Sequence, residues 1–486
     1  MDWRDEYKRR LCTADEAMAE VKAGDLVAIP IAGPRTLQAA LYRHCQAAGP
    51  IELRLGAPLT DPGWLVPGSD LFDLEFELFI SDFGRAATDE NRATYLPNLF
   101  SLNFKGHEDR PEFRQTDVFL TSMTPPDEDG YVQFGAHNWN KRMYVRHSKK
   151  TIAEVDPGLR PVHGDNKVHV SEITRFVEVP PVVITQKLVD AWLRRVEDES
   201  LKAEYQSIVD DLKGDLEKLI VIGPAMTRQP PIQVRRTLGL AEPPEVAKAI
   251  AGYVSEVLPD GATIQIGVGE PGTYLARCGA FDNKHDLGLH TEMVAPGIVQ
   301  LVEAGVINGK RKAIHQGKAV AVAWSGSDAE GLRMVTDNPK FECYDCDYLL
   351  DVKTLAQNDN FHSINNALSI DLIGQINSES VFGSRLINGT GGQPETHIGA
   401  ILSRGGRAIT LLPSTALEGA VSRVVAQHEA GSVITVPRYF ADTVITEHGI
   451  ARLWGKNHRQ RAAELIAVAH PDFCADLTAE AKRLFG

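Results

Sequence analysis

ATIQIGVGEPGTYLARCGAFDNKHDLGLHTEM, residues 262–293, carries both the fold and the chemistry of this chain. An apolar, strand-like run with Ile264 and Ile266 opens into a turn holding Gly267, Gly269 and Gly272. A helical-looking segment follows, and a second apolar stretch, 287–289, delivers His290, Thr291 and Glu292. Glycine lets backbone approach a ligand closely and aim N–H groups at an anion. A carboxylate delivered beside such a loop is placed to attack a carbonyl whose developing oxyanion needs donors. The pairing points to chemistry on an acyl group.

Outward from this stretch the same alternation repeats. On the amino-terminal side, LVAIPIA (26–32), IELRLGAP (51–58), FELFISDFG (76–84), DVFLTSM (117–123) and TIAEV (151–155) have strand character with turn residues after them. Alternating strands and helices predict an open α/β layer. Residues 187–219 are highly charged with helical spacing, and 223–244 hold five prolines and read as a connector rather than a helix or strand. From Glu245 a helical pattern leads into the strand before Gly267. The expected organisation is therefore two open α/β domains, 1–185 and 245–486, joined by a helical, proline-rich segment, 186–244.

Composition narrows the function. A net charge of −14 argues against nucleic acid, whose phosphates require a basic face. Local basic stretches, 308–312 and 403–407, leave room for an anionic ligand, although Lys310 to Lys312 also suit a solvated turn. No apolar run reaches the roughly 18 residues of a membrane span. The charged start, with Asp2, Asp5 and Glu6, lacks a signal core, so a cytoplasmic location is expected. Six scattered cysteines suit a reducing compartment, and the lone Cys343/Cys346 pair lacks the partner ligands of a structural zinc site; no metal is expected.

Gly267, Gly269 and Gly272 also spell the GxGxxG of dinucleotide-binding folds, with Asp286 roughly twenty residues on. Against that reading, no clean second strand ends in this acid. Glu292 taken alone suits a salt-bridged or helix-capping acid as well as a nucleophile. The absence of a GxSxG elbow disfavours a serine hydrolase.

The ordered set IQIGVGEP (264–271), LGLHTEM (287–293), INNALSIDLIGQIN (364–377), NGTGGQ (388–393), SRGGRAITLLPST (403–415), TVPRYFADTVITEHGIARLWGK (435–456) and AELIAVAHPDF (463–473) resembles the acetyl-CoA hydrolase/transferase branch of the class I CoA-transferases. TPPDEDGYVQFG (124–135) and RPVHGDNKVHVSEI (160–173) resemble the first domain of that family. The resemblance implies two similarly folded domains with the active site between them. It implies Glu292 as the nucleophile, forming a glutamyl–CoA thioester, and Glu447 as a second acid beside the site. Gly267, Val268, Gly269, Glu270 and Pro271 match the oxyanion and CoA loop. Asn365, Asn366, Gly389, Gly391, Gly392 and Arg407 match CoA-contacting positions. The chain departs from the family at Thr396 and Ile398, where an aromatic and a basic residue are usual; if this segment meets the acyl group, substrate choice shifts.

The function so implied is transfer of CoA from an acyl-CoA to a small free carboxylate, with hydrolysis of the acyl-CoA by the same glutamate as the alternative. CoA and acyl-CoA act as substrates, with no tightly bound cofactor. A homo-oligomer, dimer or larger, is carried over from the family.

Overall fold

The computed structural model describes residues 2–58, 61–68, 70–106, 110 and 112–486. Its frame is two open sheets. The first runs in the order Arg175–Glu178, Lys150–Val155, Val118–Met123, Leu26–Ile29, Ile51–Leu55, Phe72–Phe76, Ala93–Tyr95, and every pairing in it is parallel. The second runs Gly449–Arg452, Thr443–Thr446, Arg407–Leu411, Phe361–Asn366, Thr263–Ile266, Gly288–Met293, Ala319–Ala323, Phe341–Cys343, His163–Gly164. It is parallel apart from the edge hairpin of Thr443–Thr446 with Gly449–Arg452. Central strands such as Val118–Met123 and Ala319–Ala323 are buried along their whole length, as parallel strands covered on both faces must be.

The last strand of the second sheet comes from the amino-terminal half: His163 and Gly164 pair with Glu342 and Cys343. The division at residue 185 therefore separates the chain in sequence more cleanly than in space. The two sheets also meet at their carboxyl edges. Asn138 N–H donates to Val322 O, Trp324 N–H to Ala136 O, and Thr390 N–H to the Tyr95 hydroxyl.

Three local expectations need correction. The amino-terminal strand expected at 76–84 lies earlier, at Phe72–Phe76, and Asp82–Asp89 is helical. The segment after Gly272 is a short 3-10 turn, Gly272–Tyr274, followed by turns; Gly279 and Asp286, both with positive φ, break a longer helix. The proline-rich stretch does hold a helix, Pro231–Thr237, because Pro231 occupies the first helical position, where a missing N–H costs nothing. With Gln186–Leu193 and Glu199–Asp211 this helix encloses its own small core of Val189, Trp192, Tyr205, Ile208 and Val234. Arg236 of this segment reaches Glu270 of the glycine loop at 3.4 Å.

Candidate active site

Parallel register assembles the site. Thr263 and Ile264 pair with Gly288 and Leu289, so the same register continued brings Gly267 alongside Glu292. On the other flank Ile266 pairs with Ile364, and Gly267 N–H donates to Ile364 O at 2.7 Å, which brings Asn365 beside Gly267. A strand carrying glutamate near its end, a strand running out into glycine and a strand ending in two asparagines thus lie side by side. Carboxyl edges of open parallel sheets are where such folds bind ligands.

Glu292 is 6 % exposed, and its Oε2 accepts from Gly392 N–H at 3.2 Å. Burial pushes its carboxyl up to about 8, the Glu395 charge pushes the same way, and the Gly392 N–H pulls back. Glu395, fully buried one turn on, accepts from Phe100 N–H at 3.2 Å and Ser101 N–H at 2.9 Å in the amino-terminal domain. Burial raises its carboxyl to about 7 against those donors. Residues 391–395 therefore tie both domains to the glutamate.

These shifts have a sign that can be tested. A glutamate nucleophile attacks only as its carboxylate, so with Glu292 in that role the single-turnover rate of acyl-CoA cleavage is expected to rise with pH through about 8. Glu395→Gln, which removes the neighbouring charge, moves that rise to lower pH. Stability runs the other way: the folded state keeps a proton that an unfolded glutamate releases near its ordinary value, so unfolding free energy falls as pH climbs towards about 8. Rapid-quench kinetics and denaturant melts over one pH series read both trends.

The glycine loop is narrower in its chemistry than the sequence suggests. Gly267 N–H is taken by Ile364 O, Gly269 N–H by Thr273 Oγ1 at 3.2 Å, and Pro271 has no N–H. Val268 and Glu270 retain the N–H groups of 267–271 for which no hydrogen bond is found among the described residues. Asn366, expected to contact CoA, instead holds this loop. Its Nδ2 donates to Val268 O at 2.9 Å and Gly269 O at 3.1 Å, and its Oδ1 accepts from Gly272 N–H at 2.8 Å. The Asn365 side chain is likewise occupied, donating to Gln265 Oε1 and Ser363 Oγ, both at 2.8 Å. Thr396, one of the two departures, and its neighbour His397 belong to that buried network: Thr396 Oγ1 and His397 Nδ1 meet Ser363 Oγ at 3.0 and 2.9 Å. They support the site from below rather than meeting a substrate.

The second glycine loop runs between Glu292 and first-domain residues. A Cβ added at Gly389 would lie 2.2 Å from Leu78 O, and one at Gly392 would lie 2.4 Å from Glu292 Oε2. Gly391 faces Phe79, 3.7 Å from where its Cβ would be. Only bare backbone fits this passage between the domains.

Two further assigned residues lie elsewhere along the second sheet. Arg407 begins its strand, paired with His362 and 3.6 Å from Asp442, at the edge opposite the site. A five-residue strand puts that edge on the order of 13 Å from the carboxyl ends. Glu447 does lie at the carboxyl edge, accepting from Ser414 N–H at 2.8 Å and Ser414 Oγ at 2.6 Å. Its strand, however, is four places from that of Glu292, on the order of 19 Å at usual strand spacing. The dinucleotide reading fails similarly. Asp286 precedes its strand and pairs with Arg311 at 3.1 Å, at the wrong edge for a ribose.

Sequence reasoning missed Glu395 as a neighbour of Glu292, and the aromatic residues Phe79, Phe100 and Tyr95. The acid at 395 was visible after the glycine loop; nothing local tied it to Glu292. Among the described residues no three His, Cys, Asp or Glu side chains gather as a metal site.

Two open α/β sheets meeting at their carboxyl ends over a buried glutamate define a CoA-transferase fold. Comparison with known proteins agrees: RipA from Yersinia pestis superposes with a TM-score of 0.77 at 26% identity, covering 100% of this chain and 99% of that one. The acetyl-CoA hydrolase/transferase N-terminal domain matches residues 1–191, and the C-terminal domain of the same family matches 329–481. The 4-hydroxybutyrate coenzyme A transferase of Clostridium kluyveri is 32% identical over 492 residues, covering 100% of both chains. The succinyl-CoA:cyclohexane-1-carboxylate CoA transferase of Geobacter metallireducens is also 32% identical, over 99% of this chain and 96% of that one. This chain belongs to the acetyl-CoA hydrolase/transferase family. Glu292 and the first glycine loop fall between the two matched stretches and are spanned by these long alignments.

Proposed function

We propose that this enzyme transfers CoA from an acyl-CoA to a free carboxylic acid through a glutamyl–CoA thioester on Glu292. The observation that carries the reading is the buried Glu292 carboxyl, held by Gly392 N–H where the two domains meet, with the glycine loop one strand away. The carboxylate attacks the thioester carbonyl, and the oxyanion takes the N–H groups of Val268 and Glu270 as donors. Collapse expels CoA thiolate and leaves a mixed anhydride. The thiolate then attacks the glutamyl carbonyl, releases the donor acid, and forms the Glu292–CoA thioester. An acceptor carboxylate attacks that thioester, and the same two steps in reverse return a new acyl-CoA and free Glu292. The thioester energy is kept throughout, so the route uses no nucleotide and no prosthetic group. Glu395 and the Asn366-held loop act as positioning groups.

The test is product analysis. Purified protein is incubated with acetyl-, propionyl-, butyryl- or succinyl-CoA and a panel of carboxylates, with chromatography and mass detection. New acyl-CoA with little free CoA is the expected result. Free CoA accumulating at one rate with or without carboxylates overturns transfer in favour of hydrolysis at the same glutamate.

A further inference from the structure

We propose that Tyr95, the last residue of the edge strand Ala93–Tyr95 in the amino-terminal domain, is a positioning residue for Glu292. Its hydroxyl pins Thr390 of the second glycine loop, and the loop so held aims Gly392 N–H at the glutamate carboxyl. The inference rests on the reading of Glu292 as nucleophile and adds to its machinery a residue from the other domain.

The loop from Asn388 to Gln393 has three glycines in six residues, so its backbone carries little stiffness of its own and contacts set its shape. Thr390 is held from two sides. Its N–H donates to the hydroxyl of the half-buried Tyr95 at 2.7 Å, and its Oγ1 donates to Oε2 of the buried Glu379 at 3.2 Å. The same Tyr95 hydroxyl lies against the bare backbone of Gly389, 2.5 Å from where a Cβ would be. Gly391, at φ +65°, then turns the chain into Gly392. The helix Gln393–Leu402 fixes Gly392 from its far side, where Thr396 N–H donates to Gly392 O at 3.0 Å. It leaves open the tilt of the preceding peptide plane, which carries the N–H that reaches Glu292. That plane is set by where the chain arrives from Thr390, and hence by Tyr95.

The same arm is clasped farther back. Arg385 donates to both carboxylate oxygens of Asp89 at 2.9 and 2.7 Å, and Arg85 Nε donates to Ile387 O at 2.9 Å. Those contacts join the domains before the loop begins, whereas Tyr95 grips it within two residues of Gly392. The groups around the two ends are known. Burial and the Glu395 charge push the Glu292 carboxyl up and Gly392 N–H pulls it down, while the Cys346 thiol, which also feels Glu292, is held well up by burial. Burial first, then the charges of Glu379 and Glu77, keep the Tyr95 phenol protonated against its Thr390 contacts. Loosening the Gly392 bond therefore raises the Glu292 carboxyl further, and Glu395 and Cys346 are common to every variant.

The experiment follows single-turnover cleavage of butyryl-CoA against pH in the wild type, Tyr95→Phe and Asp89→Ala. Glu292 is titrated in the same proteins by infrared difference spectra, assigned with Glu292→Gln. Tyr95→Phe leaves Thr390 N–H without its acceptor and is expected to lower the plateau rate about tenfold, less than a displacement of about 1 Å would, because Glu379 still holds Thr390. The midpoint of its rate profile and its infrared titration both move up by about 0.5 pH, since the donor that favours the carboxylate is loosened. Asp89→Ala opens an exposed ion pair and keeps the wild-type rate and midpoint. Tyr95→Phe with the wild-type plateau and midpoint overturns the inference. A loss of rate at an unmoved midpoint, or an equal loss in Asp89→Ala, also overturns it and leaves Tyr95 a domain contact. If Tyr95→Phe does not fold, 4-fluorophenylalanine at position 95 replaces it, filling the place of the hydroxyl with a poor acceptor. Wild-type protein that leaves acyl-CoA intact overturns the transferase reading, and the infrared titration then decides the role of Tyr95 by itself.

Discussion

Replacing Glu292 with glutamine is expected to abolish the CoA adduct and to lower turnover by about four to six orders of magnitude. Glutamine keeps the length and shape of the side chain and can still accept from Gly392 N–H, but its amide does not attack a thioester. Wild-type protein given an acyl-CoA without acceptor gains the mass of CoA less one water; Glu292→Gln retains its unmodified mass. Folding is not the reason for the loss. The substitution removes an ionisable group that burial disfavours as an anion, so the variant melts at or above the wild-type temperature at pH 8. A variant that still forms the adduct removes Glu292 from the nucleophile's role. One that loses activity together with a large drop in melting temperature points to a structural part for this carboxyl.

Gly392→Ala carries the second large effect, by a different route. Gly392 has φ −85°, a conformation open to alanine, so the backbone raises no objection. The added methyl would lie 2.4 Å from Glu292 Oε2, inside any real carbon–oxygen contact. What yields is the far end of a flexible side chain, so the cost falls on the position of the nucleophile and little on stability. A displacement of about 1 Å from near-attack geometry costs about 100-fold in rate. The expected result is kcat lowered about 100-fold or more with a melting temperature within a few degrees of wild type. Gly389→Ala is the contrasting control: its methyl would meet Leu78 O, a backbone atom at 2.2 Å, and the loss appears as instability of the domain contact. Equal kcat for Gly392→Ala and wild type would show that Gly392 does not set the position of Glu292.

Much of this protein is legible in its sequence because parallel α/β folds write their strands as short continuous apolar runs. The runs at 26–32, 51–58, 117–123 and 151–155 all hold strands of the first sheet. The run ending in Gly267 and the one ending in Glu292 became neighbouring strands because each is a buried segment that finds satisfied backbone partners only in a sheet interior. Once they pair in parallel, the residues after each must share an edge, and Glu292 and the glycine loop come together without further instruction. The two asparagines were legible as polar groups near the site, but not as the clamp they form, since that depends on which way each side chain turns.

Other features belong to the tertiary structure alone. Arg407 reads as a cation near a glycine loop, yet strand direction sends it to the opposite edge. Glu447 shares the correct edge, but strand order leaves three strands between its own and that of Glu292. Neither direction nor order is encoded within either segment. Glu395 and the Phe100–Ser101 backbone that donates to it lie hundreds of residues apart in the chain, and meet only because the two sheets join carboxyl edge to carboxyl edge. The sequence by itself determined the strands, the glycine turns and the delivery of Glu292 by a buried strand, which are local consequences of apolar runs and backbone freedom. The fold decided the second carboxylate and the raised proton affinity of the first, because burial and charge proximity arise only when distant segments exclude water together.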